Sequence, residues 1–118
     1  MMKQKLKLLG FDAEDALDRF FGDSCLLEKY IGLMVVDFNQ RLPETKTAID
    51  RRDFKEAAQQ LHSLQGSAFA LAALDLAGAC KFCEEMCLMS DERNAIESLK
   101  SIELQVSKIS QSVVNPLP

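Results

Sequence analysis

The chain has 118 residues, 47% of them hydrophobic and 27% charged, with a formal net charge of −4. This is a globular composition with room for one core, and its singly scattered lysines exclude the concentrated basic surface that nucleic acid requires. No apolar run approaches the roughly 20 residues of a membrane span, and the start, MMKQKLKLLG, is polar without the apolar centre of a secretory signal, so a cytoplasmic location is expected.

Helical periodicity runs along almost the whole chain. Asp12, after Phe11, suits the N-cap of a short first helix to about Phe21, with Asp15 in the capping-box position. Gly22 to Ser24 interrupt it and offer the next cap. A long helix follows with Leu27, Ile31, Met34 and Phe38 on one face. Pro43 falls inside it, which predicts a kink or a break near Leu42. Asp50 to Asp53 form the next connection, and Phe54, Ala57, Leu61, Leu64, Ala68 and Leu71 then keep a three-four alternation. A turn is expected over Ala72 to Asp75, although neither glycine nor proline marks it. A cysteine-bearing helix runs to about Met89, and Ser90 or Asp91 caps the last one. There Ala95, Leu99, Ile102, Val106, Ile109 and Val113 form the stripe until Asn115-Pro116 stops it. The pattern predicts one all-α domain over 1–118, an antiparallel up-down-up-down four-helix bundle with a short extra N-terminal helix.

Cys80, Cys83 and Cys87 have a spacing that suits metal ligands, and a metal- or thiol-binding bundle is one reading. The same spacing is one face of a helix, shared with Leu76 and Ala79, and cysteine packs as a small hydrophobe. Core thiols, with no metal site, are therefore expected.

The stretch LHSLQGSAFALAAL, residues 61 to 74, holds the only histidine. At 100° per residue His62 lies about 130° from the centre of the apolar stripe, towards solvent. Ala58 and Gly66, four residues to either side, leave the neighbouring turns bare, and Phe69 projects within about 20° of the histidine. A glycine here gives up about 1 kcal/mol of helix propensity, a local inconsistency expected where a partner must approach closely. An exposed imidazole is largely neutral and nucleophilic near pH 7. A convex helix face offers no oxyanion hole, and the five glycines form no phosphate-cradling loop. The chemistry left is to receive a group from one macromolecule and hand it to another.

In this, L61-H-S-L-Q-G-S-A-F-A-L-A-A73 resembles the signature of histidine-containing phosphotransfer (HPt) domains, a helical A-H-x-L-K-G-S-x-x-x-L-G-A followed by leucine and a helix ending in glutamate. Upstream, GFDAEDALDRFFGDSCLLEKYIGLMVVDF and Asp53 before the active helix fit as well, and the resemblance extends over about Leu9 to Ile109, within a core of about 9–113. It implies that His62 is phosphorylated in a phosphorelay, that Gly66 gives clearance, and that a receiver domain docks over Ala58, Gln59, His62, Gln65, Gly66 and Phe69. It further implies no cofactor on this chain, Mg²⁺ in the partner's acidic pocket, no ATP site, and a monomer. The sequence departs from the signature at Gln65, where the family has a charge-balancing lysine, at Ala72, where a glycine is usual, and at Ala70, where a polar residue is common. Gln65 can donate a hydrogen bond but no charge. Lys55, seven residues before His62 on the same face, could substitute in part by bending over. The alternative that follows from Gln65 is a relative that binds receivers without accepting phosphate.

Overall fold

Aspartates open four of the helices in the computed structural model, which describes residues 2–114. Asp12, Asp23, Asp53 and Asp91 each accept a hydrogen bond from the backbone N–H three residues on, satisfying a donor the helix start leaves orphaned. The helices are α1 Met2–Leu8, α2 Ala13–Arg19, α3 Ser24–Asp50, α4 Phe54–Ala70, α5 Leu74–Leu88 and α6 Glu92–Ile109, continued by a π turn over Ser110–Val114. α3 packs on α4 and α6, and α5 packs on the same two. These four make the expected antiparallel bundle. The expected stop at Asn115-Pro116 lies outside the described residues.

Three features of the N-terminal half depart from expectation. The start of the chain is helical, so two short helices precede the bundle, because Leu6 is fully buried and Met2 and Leu9 pack against the core. α2 ends at Arg19, short of Phe21, and Asp15 pairs with Arg19 (2.8 Å) where a capping box was expected. Nor does Pro43 break α3, which runs unbroken through 27 residues. A proline in a helix interior costs about 3 kcal/mol, largely through the carbonyl it leaves unpaired. Here Pro43 and Asn39, whose carbonyl loses its partner, are both exposed, so water can take the missing bond.

Each of the first five helices stops in the same way. The residue at C′ takes a left-handed conformation: Gly10 (φ +86°), Phe21 (+56°), Arg52 (+60°), Ala72 (+58°) and Ser90 (+57°). Paired backbone bonds close every end, as in Asp53 N–H to the Ala48 carbonyl (2.8 Å) and Arg52 N–H to that of Ile49 (2.9 Å). This is the Schellman arrangement, which usually employs glycine. With it, three residues suffice to link α3 to α4, α4 to α5 and α5 to α6. Only α1 ends on a glycine here, where a Cβ on Gly10 would lie 2.5 Å from that of Asp75.

The bundle interior takes the stripes the periodicity picks out. Leu27, Ile31 and Phe38 of α3, Leu61 and Leu64 of α4, and Ile102 of α6 are fully buried. Cys80, Cys83 and Cys87 are buried with them, while Cys25 is exposed. Burial, with smaller repulsion from Cys83 and Glu84, pushes the Cys80 thiol up to about 12. The Cys87 thiol is raised by its hydrogen bond to Cys83 and then by burial. At Cys80 and Cys87 the thiolate that would react or bind metal is therefore disfavoured, while Cys83 is shifted down by its hydrogen bond with Cys87; burial of all three keeps them as packing groups. Among the described residues no three His, Cys, Asp or Glu side chains are placed to hold a metal ion, and no helix is long and apolar enough to cross a membrane.

Ser90→Gly relieves a left-handed serine in an exposed turn and is expected to stabilise the fold by about 0.5–1 kcal/mol, seen as a midpoint shift in urea at unchanged slope. A thiol reagent at pH 8 should label one cysteine, Cys25, in the native protein and all four in denaturant. Rapid native labelling of any of the other three would contradict the packing described.

Candidate functional site

α4 owes its orientation to one stripe. Ala57, Leu61, Leu64 and Ala68 face the core, with Ala57 to Ala68 spanning three turns of burial, which leaves the opposite face to solvent. His62 stands on that face with 76% of its side chain exposed. Gly66, one turn on, has nothing within 4 Å of where a Cβ would be, so the space above it is open. Lys55, Gln59 and Phe69 are exposed along the same face, Phe69 by 56%. Gln65 is half-buried on the side towards α5. Ala58 differs from the open contact expected of it. It is 4% exposed, covered by the neighbouring helix, and its methyl forms the floor of a groove.

The groove runs between α4 and α5 and is lined by Lys55, Ala58, Gln59, His62, Glu84 and Leu88. Glu84 brings to the site what the sequence reading did not assign. Its carboxylate lies 3.2 Å from His62 Nδ1 and is largely covered, with 18% of the side chain exposed. The helix carries two adjacent glutamates, Glu84 and Glu85, and only packing distinguishes them. Cys80, Cys83 and Cys87 turned inward put Glu84 at the α4 seam and leave Glu85 in water. A stripe of buried cysteines was the available signal, since it fixes which glutamate falls beside α4.

This contact biases the imidazole. A carboxylate only accepts hydrogen bonds, so its approach favours the tautomer with the hydrogen on Nδ1 and the lone pair on Nε2. With Nδ1 turned to α5, Nε2 lies at the far edge of an exposed ring. The arrangement is an oriented nucleophile on an open surface, with no enclosing pocket around it.

The flanks are held by two arginines. Arg19 of α2 donates to the carbonyls of Phe69 (2.7 Å) and Ala70 (2.9 Å), and its guanidinium stands 5.7 Å from the centre of the Phe69 ring. It neutralises the negative end of α4 and holds the exposed aromatic in place. On the other flank Arg41 of α3 bonds Asp37 (3.0 Å) and the hydroxyl of Ser63 (2.6 Å). Leu33, one turn before Asp37, and Val36, next to it in the chain, are each more than half exposed. Phe69 on α4 and Leu33 and Val36 on α3 are thus exposed apolar side chains on the two helices that Arg41 and Ser63 join.

No curated protein and no solved structure matches the chain. A family model, described as Hpt domain, matches residues 29–112. The match takes in more than two thirds of the chain, from within α3 to the π turn, and encloses His62 and Glu84, so the protein belongs to the family of Hpt domains, the histidine phosphotransfer carriers of phosphorelays.

Proposed function

We propose that His62 takes a phosphoryl group from the aspartate of a receiver domain, or from a kinase, and passes it to another receiver aspartate. The observation that carries this reading is the 3.2 Å approach of the Glu84 carboxylate to Nδ1 of an otherwise exposed ring. The Nε2 lone pair attacks phosphorus, an N–P bond forms, and the P–O bond to the donor aspartate breaks with its electron pair leaving on the carboxylate. The ring then holds hydrogen on Nδ1 and phosphorus on Nε2, and its positive charge is offset by Glu84. Onward transfer reverses these steps, and the Nδ1 proton never has to leave. The carrier therefore needs no separate base, which suits a site without a pocket.

Docking of the receiver is supported by the open space over Gly66 and by the exposed Gln59, Phe69, Leu33 and Val36. The partner supplies the acidic pocket and the Mg²⁺ that neutralises the phosphoryl group in flight. Gln65 contributes a hydrogen-bond donor in place of a charge.

The reading predicts one acid-labile phosphoryl group by intact mass after incubation with phosphorylated receiver domains, and none on His62→Gln. Receiver binding without any transfer to the parent would instead place the protein among binding-only relatives. Glu84→Ala should slow transfer about fivefold, equivalent to ~1 kcal/mol, the value of a charge-assisted hydrogen bond discounted for exposure. It should also deplete the Nδ1–H form in ¹⁵N spectra of the neutral ring. An unchanged rate and tautomer would remove Glu84 from the mechanism.

A further inference from the structure

On the carrier reading, a phosphoryl group on Nε2 brings a dianion into a groove that already holds the covered carboxylate of Glu84. Two anionic groups on one imidazole require a cation close by. α4 and α5 each carry one basic residue, Lys55 and Lys81. The nearest arginines are engaged elsewhere. Arg52 pairs with Glu92 (3.0 Å) and lies over the Phe54 ring, and Arg41 is tied to Asp37 and Ser63. Of the two lysines, Lys55 lines the groove together with His62 and Glu84, whereas Lys81 is not among its lining residues.

Lys55 is also placed as a residue kept free. It sits in the first turn of α4, at the positive end of the helix dipole, where a cation is disfavoured. Its i+4 neighbour is Gln59, so it has no intrahelical acid to pair with at that spacing, and it forms no ion pair among the described residues. Arg93, in the corresponding turn of α6, does have a glutamate four residues on, Glu97 at 3.9 Å. Two turns, about 10 Å along the axis, separate Lys55 from His62. The N-terminal lean of helical side chains is shared by both residues and cancels, so the lysine's flexible four-carbon stem, turned C-terminally along the groove that both residues line, and the phosphoryl group between them span this distance. We infer that Lys55 binds the phosphoryl oxygens of phosphorylated His62, supplying from the N-terminal end of the groove the charge that Gln65 does not.

The test needs no partner protein. Phosphoramidate phosphorylates an exposed imidazole directly. Its P–N bond breaks, the new P–N bond forms at Nε2, and ammonia leaves. Parent, Lys55→Gln, Lys55→Arg and Lys81→Gln would be loaded in this way and followed by intact mass and ³¹P NMR. A cation favours the dianion, so Lys55→Gln should raise the pH at which the phosphoryl signal titrates and shorten phosphohistidine lifetime about threefold or more, the scale of an exposed ion pair. The difference should shrink in high salt. Lys55→Arg should restore both readouts, and Lys81→Gln should leave them at parental values. A loaded parent whose lifetime and titration are unchanged in Lys55→Gln overturns the assignment of Lys55 alone. A parent that takes no phosphoryl group on His62 overturns the carrier reading beneath it.

Discussion

Three residues between Ala70 and Leu74 decide how α4 meets α5, and the site depends on that turn. Ala72 stands at its centre with φ +58° and no exposure, and Ala73 opens α5 without a side-chain cap. A turn so poor in local preference must be held by its surroundings. The N-terminal arm does this. Asp12 N–H bonds the Ala72 carbonyl (2.9 Å), Asp75 N–H bonds that of Gly10 (3.0 Å), and Arg19 takes the last two carbonyls of α4. Such bonds cost little to form once the helices pack, and much to leave unmade when buried. They explain why two helices outside the family match belong to the same fold.

With the turn held, burial does the rest. The stripe of α4 faces the core, so its opposite face, with His62, must face water. The cysteine stripe of α5 likewise fixes Glu84 at the seam. The two side chains meet at 3.2 Å because both helices obey the same core. An exposed histidine is conformationally free, and a single covered carboxylate 3.2 Å from Nδ1 limits that freedom and favours one tautomer. Orientation is obtained here without a pocket, which keeps the nucleophile accessible to a whole protein domain.

Charge shapes the site as much as geometry. On the proposed carrier reading, Glu84 supports the imidazole while it attacks and opposes the phosphoryl dianion once it has arrived. An oriented carboxylate is therefore useful to a carrier only if the held state is balanced from another side. The groove is lined by one cation, Lys55, and one carboxylate, Glu84, with His62. The buried thiols have no part in this chemistry. They fill space beside it and define the face on which Glu84 stands.

Much of the molecule was legible in the residues themselves. Stripes such as Ala95, Leu99, Ile102 and Val106 mark a buried face because a 3.6-residue period and a core allow nothing else. The aspartate caps are local chemistry, and so is the exposure of His62, which follows from its angle to the stripe of its own helix. Where local signals were absent or misleading, tertiary structure decided. Pro43 reads as a breaker but is tolerated where it and Asn39, whose carbonyl it leaves unpaired, are both exposed to water. Phe21, Arg52, Ala72 and Ser90 take backbone angles that no local preference would choose, since packing outweighs a strain of about 1–2 kcal/mol at each. The polar-looking start became helix because Leu6 found the core. The cysteine stripe sets the face on which Glu84 stands, but that this face meets His62, and that Ala58 is covered, depend on how two helices meet across a turn. That is a long-range fact of packing, and no window of sequence around either residue contains it.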